Sequence, residues 1–343
     1  MNILLVKLGA LGDVLRTTPL LTSLKHKYPT NRITWVVDAS CEEVLKGNPA
    51  IDELLTYSKK NLQELSKKSF DLLINLDKEP EALEVTARVP ALKKMGFGLT
   101  REGVLGALDD LSDYAYRLGI DDDLKFRKNK KTYQEISFEQ AGLKFEGEEY
   151  LFSLDAVSVS YAENALARLG VDFKKARRPV VGLNTGSGTR FAGKKLPVST
   201  YVDLVRKFYE ELGATVFLLG GADEVDQNLR IQRLSPCPVV NTGSHAIRQF
   251  AAMVKRCDVI VSGDTTAMHI AIAVKVPVIV HFGSTCPAEI ELYGRGEKIV
   301  SPIECAPCYK RVCPIDEQCM KDMSVEEILK SARELLAGVR VCE

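Results

Sequence analysis

The sequence predicts an α/β protein of two doubly wound, Rossmann-like domains, and three observations carry that prediction. Short runs rich in Val, Ile and Leu recur without apolar/polar alternation, as strands buried on both faces of a parallel sheet do. Between them lie amphipathic helical periods such as Tyr201, Val202, Val205, Phe208, Tyr209 and Leu212. The alternation occurs twice, and 343 residues suffice for two domains that each bury a core.

The elements follow in chain order. Strands are expected over 2–6, 32–37 and 71–76 in the first half, and over 179–184, 214–219, 239–241, 258–262 and 277–282 in the second. Pro19 marks a helix that begins or kinks near Thr18, because its missing N–H is harmless only in a first turn. Trp35, the only tryptophan, reads as packing on its strand. The polar, basic stretch from Asp172 to Arg178 precedes a fresh apolar strand. It sets the expected domains at 1–173 and 174–343, with the last helix reaching back to the first domain and a cleft between the two.

Composition narrows the function. The chain is 45% hydrophobic and 27% charged, with a formal net charge of zero, so no whole-molecule field selects nucleic acid or an anionic membrane. The first residues carry no signal-peptide pattern and no apolar run approaches a membrane span, so a cytoplasmic protein is expected. An anionic substrate must then be met by local groups.

Three segments offer such groups. Lys7-Leu8-Gly9-Ala10-Leu11-Gly12-Asp13 closes the first apolar run, and ligands of open α/β sheets bind beyond the carboxyl ends of strands. Gly9 and Gly12 permit a sharp turn and close approach. Asp13 suits either a helix N-cap or a proton acceptor. A dinucleotide is disfavoured, since Gly-x-Gly-x-x-Gly is absent and a carboxylate at the helix entrance repels a pyrophosphate. The second segment runs from Val259 to His269: a strand ends at Gly263, and Asp264 or Thr265 caps a helix through Ala273 whose first N–H groups suit an anion. Thr265 and Thr266 add hydroxyls. His269, one turn on, reads either as a phosphate contact or as a buried structural residue. The third, Asn184 to Pro197, combines glycines with Thr185, Ser187, Thr189 and Lys194, as a loop around a diphosphate does. It is not a Walker loop, because Gly193-Lys194 is followed by Lys195.

Together these segments resemble glycosyltransferase family 9, best known for ADP-heptose:lipopolysaccharide heptosyltransferases. The resemblance rests on the Lys7 to Asp13 start, Lys194-x-Leu196-Pro197, the Gly220-Gly221-Ala222-Asp223 turn and Asp264-Thr265-x-x-Met268-His269. It extends over nearly the whole chain. It implies a GT-B fold, a donor held mainly by the second domain, an acceptor held mainly by the first, and inverting transfer that requires no cofactor. By the same resemblance Asp13 is the catalytic base and Lys194 contacts phosphate. Asp264, Thr265, Thr266 and His269 bind or orient the donor, Thr185, Ser187 and Thr189 join the phosphate loop, and Glu224, or its neighbour Asp223, takes the ribose. Gly9 and Gly12 fall on the acceptor side with Lys93, Lys94 and Arg101. Those cations belong to a basic stretch, 88–131, that is either a solvated surface or a contact for phosphates and acidic sugars. The implied partners are ADP-heptose or a related nucleotide sugar and a lipopolysaccharide-core acceptor met at the cytoplasmic face of the inner membrane, with no nucleic acid. Two departures stand out: Leu196 where the family usually has Trp, and Thr266 where it usually has Gly. A nucleotide-sugar epimerase of the same fold and a non-catalytic binding protein stay open as alternatives.

Four of the nine cysteines, Cys305, Cys308, Cys313 and Cys319, crowd into one loop before the last helix. Such a set can hold a structural zinc ion or an iron–sulfur cluster, or remain free or disulfide-forming thiols. Ser324 and Glu327 form a capping box for the helix that follows.

Overall fold

A computed structural model describes residues 1–172, 179–188 and 193–339. They form two compact units, one of Met1–Phe152 with Ala288–Glu291, the other of Ser153–Pro287 with Leu292–Glu343. The boundary expected at 173/174 falls on residues outside those described.

The first unit is built on β1 (Asn2–Val6), β2 (Arg32–Val37), β3 (Glu53–Thr56), β4 (Phe70–Asn75), β5 (Ala91–Leu99) and β6 (Leu105–Ala107), in the order β3-β2-β1-β4-β5-β6. All neighbours are parallel except β5 and β6. Chain order reverses between β1 and β4, and such a switch point opens a crevice at the carboxyl edge of the sheet. Ile3, Leu4, Leu5 and Val6 are fully buried, with Leu4 and Val6 in a core shared with Leu73, Val85 and Val89. Trp35 is fully buried, and its indole N–H donates to the Lys7 carbonyl at 3.1 Å. Pro19 stands at the first position of the helix Pro19–Lys27, directly after the helix Leu11–Thr17.

The second unit repeats the plan. Its strands β7 (Val180–Asn184), β8 (Thr215–Leu219), β9 (Val240–Asn241), β10 (Val259–Gly263), β11 (Val278–Phe282) and β12 (Gly296–Val300) run in the order β12-β11-β10-β7-β8-β9, all parallel. Here the switch point lies between β7 and β10. The helix Val198–Leu212 buries Tyr201, Leu204, Val205 and Phe208, as its period requires, and ends on Gly213 in left-handed backbone. The final helix Val325–Val339, expected to reach back to the first unit, buries Ile328, Leu329, Ala332 and Leu336 in the second unit's own core. Lys207 pairs with Glu326 and Arg333 with Glu211, fixing it against Val198–Leu212. At its entry the Glu327 N–H donates to Ser324 Oγ at 3.2 Å, one of the two bonds of the expected capping box. Among the described residues no helix is long and apolar enough to cross a membrane.

Candidate functional site

In the first unit the switch point carries Asp13. β1 ends at Val6, the chain turns, and the helix Leu11–Thr17 presents Asp13 in its first turn. Asp13 Oδ2 accepts the Ala10 N–H at 3.2 Å, and Oδ1 lies 2.8 Å from an Arg16 guanidinium nitrogen. Arg16 is itself sandwiched, 3.9 Å over the Tyr133 ring and 4.0 Å from Glu289. Tyr133 shares a hydrogen bond with the Thr17 hydroxyl at 2.8 Å.

Beneath Asp13 lies an ion pair that the sequence reading missed. Lys7 Nζ stands 3.3 Å from Asp77 Oδ2, and both residues are buried. The same oxygen accepts the Leu8 N–H at 3.0 Å and the Gly9 N–H at 3.4 Å, so Asp77 fastens the β1 turn to the end of β4. Burial works against the Lys7 charge, yet the facing Tyr133, Asp13 and Asp77 hold its pKa above the ordinary lysine value against the opposing pull of Arg16. A Cβ at Gly9 would meet only Cys41 Sγ, at 3.9 Å, so the turn does not demand a glycine there. Gly12 is buried in the first turn of the helix.

Next to Asp77, Lys78 is tucked under Gly119, its ammonium 3.2 Å from the Ala115 carbonyl and 4.6 Å over the Phe97 ring. Burial, reinforced by Lys125 and Lys7, pulls its pKa down to about 8, with Glu289 and Asp77 opposing. Below that pH the lysine is charged in folded and unfolded chains alike, and the folded state carries the desolvation cost. Between about 8 and the ordinary value of 10.5 the unfolded chain binds the extra proton, so stability rises with pH across that window. We therefore expect Lys78→Met to be more stable than wild type below pH 8 and to lose that advantage progressively toward pH 10. Denaturant unfolding of both proteins across this range checks it; a pH-independent difference contradicts it.

The basic residues expected on the acceptor side are not gathered at Asp13. Lys93 and Lys94 pair with Leu72 and Leu73, short of the carboxyl edge where Asn75 meets Gly96. Lys93 is exposed, while the Lys94 ammonium donates to the Thr86 carbonyl. Arg101 is exposed in the β5–β6 connection.

In the second unit three separate segments do converge at the switch point. Asn184, at the end of β7, sends its amide to the Gly186 carbonyl (2.9 Å), Ser262 Oγ (3.1 Å) and Thr265 Oγ1 (3.3 Å). That one side chain ties the β7 loop to the β10 loop. Thr265 is the N-cap of the helix Thr266–Ala273, with its hydroxyl 3.1 Å from Ser262 Oγ. Thr266 opens that helix half-buried, and His269 is buried one turn on. Lys194 Nζ stands 3.5 Å from Asp264 Oδ2. Glu224 is buried, accepting from Lys195 at 3.0 Å and from the Gly221 N–H at 3.0 Å. A Cβ at Gly186 would approach the Glu224 carboxylate to 3.0 Å, so any larger residue there would make that carboxylate shift. Thr185 is fully buried, with its hydroxyl 2.6 Å from Asn228 Oδ1. It fastens the loop to the helix Val225–Leu234. Ser187 is half-buried beside an exposed Gly188, whose carbonyl its hydroxyl meets at 3.1 Å. Thr189 lies outside the described residues.

Cys305, Cys308, Cys313 and Cys319 line one small cavity together with Gly193, Gly283 and Ser284. Burial, and then the three neighbouring thiols, push the Cys319 pKa up to about 11. All four are free thiols, ranging from exposed Cys305 to buried Cys319. Among the described residues no group of three or more His, Cys, Asp or Glu side chains is arranged to hold a metal ion. Of the alternatives that the spacing left open, a structural zinc or iron–sulfur centre is therefore not supported: spacing counts thiols, but these four sit at different depths around the cavity.

Residues 59–318 match the model of "Glycosyltransferase family 9 (heptosyltransferase)". Lipooligosaccharide heptosyltransferase 2 of Campylobacter jejuni is 25% identical over 167 residues, 46% of this chain and 51% of that one, so the chain spans about half the length of this curated relative. Lipopolysaccharide heptosyltransferase 1 of Pseudomonas aeruginosa is 26% identical over 343 aligned residues, covering 91% of this chain and 87% of that one. Among solved structures, a family 9 glycosyl transferase from Veillonella parvula superposes with a TM-score of 0.78 at 20% identity, covering 98% and 97% of the two chains. ADP-heptose lps heptosyltransferase II of E. coli gives 0.68 at 18% identity, covering 99% and 100%. These likenesses agree with the GT-B fold class of two parallel-sheet α/β units. With the family model matched over most of its length, the chain belongs to glycosyltransferase family 9 and is a glycosyltransferase.

Proposed function

We propose that the protein transfers a heptose from ADP-heptose, with inversion, to the inner core of a lipopolysaccharide or a similar glycan. The observation that carries this reading is the convergence at the second unit's switch point, where Asn184 draws the β7 loop and the Asp264–Thr265 loop together. Such a crevice, with a helix N-terminus and a lysine beside it, is suited to a nucleoside diphosphate. The names of the relatives support heptose as the sugar, lipopolysaccharide as the acceptor and ADP as the nucleotide.

In this reading Asp13 accepts the proton of the acceptor hydroxyl as its oxygen bonds to the anomeric carbon. The bond from that carbon to the diphosphate breaks in the same displacement, which inverts the centre. Lys194 and the N–H groups at Thr265–Thr266 stabilise the charge that grows on the departing ADP. The Lys194 ammonium, 3.5 Å from Asp264 Oδ2, turns to a phosphate oxygen when the nucleotide binds. Glu224 takes the ribose. With these groups meeting the diphosphate, no divalent ion or other cofactor is needed for transfer, and the acceptor places the work at the cytoplasmic face of the inner membrane.

The test is a donor screen with ADP-, UDP- and GDP-sugars and a deacylated inner-core acceptor, reading nucleoside diphosphate release with and without EDTA. ADP-heptose is expected to be the preferred donor and EDTA to leave the rate unchanged. Preference for a UDP- or GDP-sugar, or a divalent-ion requirement, contradicts the proposal.

A further inference from the structure

We propose that His281 is a positioning residue for the donor phosphates, because it holds the backbone from which Lys194 projects. The inference rests on the reading of Lys194 as a phosphate contact.

Residues 193–197 belong to no helix or strand, so the Lys194 main chain is fixed by what surrounds it. The fastening comes from the end of β11. His281 Nε2 lies 3.3 Å from the Lys194 carbonyl oxygen, and Ser284 brings its N–H to 3.3 Å and its hydroxyl to 3.4 Å from the Gly193 carbonyl oxygen. A carbonyl can only accept, so Nε2 carries the proton and Nδ1 is left with a bare lone pair. That Nδ1 is buried and finds no partner among the described residues. A buried imidazole with one unpaired nitrogen is a costlier choice than Phe or Leu at the same place. The bond to Lys194 is what the imidazole supplies that an apolar residue lacks.

The surrounding packing leaves room for this contact. His281 pairs with Gly263 across β11 and β10, and a Cβ at Gly263 would come within 2.6 Å of the Lys194 carbonyl oxygen and 3.2 Å of His281 Nε2. A Cβ at Gly283 would come within 2.9 Å of the Gly193 carbonyl oxygen and 2.8 Å of Cys319 Sγ. Two glycines at strand ends thus let the 193–194 segment lie directly on the sheet edge, next to the loop that carries Asp264. Burial pulls the His281 pKa down to about 4, consistent with a neutral ring that donates from one nitrogen.

The experiment measures ADP affinity by calorimetry for wild type, His281→Leu, Lys194→Ala and the double variant, with a thermal melt of each. His281→Leu is expected to weaken ADP roughly three- to tenfold, the worth of one hydrogen bond. His281→Gln, which keeps an N–H donor, is expected to recover most of the loss. In the Lys194→Ala background the His281 change is expected to add nothing, because it acts through Lys194. If the leucine variant does not fold, His281→Phe keeps the ring shape without the donor and is read the same way. Wild-type ADP affinity in the His281 variant alongside a weakened Lys194→Ala overturns the positioning role, as do losses that multiply in the double variant. Unchanged affinity in Lys194→Ala overturns the reading of Lys194 itself, and the two failures are thereby told apart.

Discussion

Asp13→Asn is expected to abolish transfer, lowering kcat by roughly 10²- to 10⁴-fold, the range of a general base, while ADP affinity stays at the wild-type value. The asparagine keeps the shape and can still meet the Ala10 N–H through its carbonyl oxygen, but it cannot take a proton. Its amide also loses the charge that pairs with Arg16 at 2.8 Å, so some loss of stability accompanies the loss of rate. Reading ADP affinity beside kcat separates the two effects, since a base acting on the acceptor contributes nothing to nucleotide binding. A variant that transfers at near wild-type rate removes Asp13 from the mechanism.

Lys194→Ala is expected to produce the largest loss of nucleotide affinity. A hydrogen bond to a charged group is worth on the order of 1.5–3 kcal/mol, which corresponds to roughly ten- to a hundredfold in Kd for ADP. The substitution also removes the ammonium that stands 3.5 Å from Asp264 Oδ2, so the repulsion between that carboxylate and the diphosphate grows. Both effects act in one direction. Because the leaving group gains charge as the reaction proceeds, kcat is expected to fall together with affinity. Calorimetry showing wild-type affinity for ADP would remove Lys194 from the phosphate site.

The parts of the fold legible in the sequence are those whose residues are buried on both faces. β1, β2, β7, β8, β10 and β11 are apolar runs with most residues inaccessible, and each was readable within a residue or two. The missed strands are those that water or a neighbour disguises. β3 is half-buried throughout, β12 carries Glu297 and Lys298 side by side and exposed at an edge, and β5 hides Lys93-Lys94 and two glycines inside a nine-residue strand. At Gly96 a Cβ would lie 1.9 Å from the Asn75 carbonyl oxygen, so a residue that reads as a strand breaker is required by the strand's own neighbour.

The candidate site divides the same way. Asp264 follows directly on the end of buried β10, and Asp13 lies in the first turn of the helix after β1, so topology alone makes both positions candidates. Lys7 and Asp77 were not legible, since their partnership joins positions 70 residues apart. The available signal was a charged residue terminating an apolar run, which both of them are. His281 reads in the sequence as one more residue of β11, because its bond to the Lys194 carbonyl joins positions 87 residues apart. Thr185 shows a second side of the same limit: the sequence displays a hydroxyl in a glycine-rich loop, but not that it is fully buried and bonded to Asn228. The cysteines show the limit of spacing, which gave their number but not their depth.

The measurement that tests the central claim most directly is the stereochemistry and acceptor dependence of ADP-heptose turnover. Wild-type protein is incubated with ADP-heptose alone and with the deacylated inner-core acceptor, and nucleotide release and the anomeric signal of the product are followed by NMR. The account predicts no change in the nucleotide sugar by itself. With acceptor present it predicts one ADP released per glycoside formed, with the anomeric configuration opposite to that of the donor. A glycoside of retained configuration, or an epimerised nucleotide sugar formed without acceptor, would contradict it.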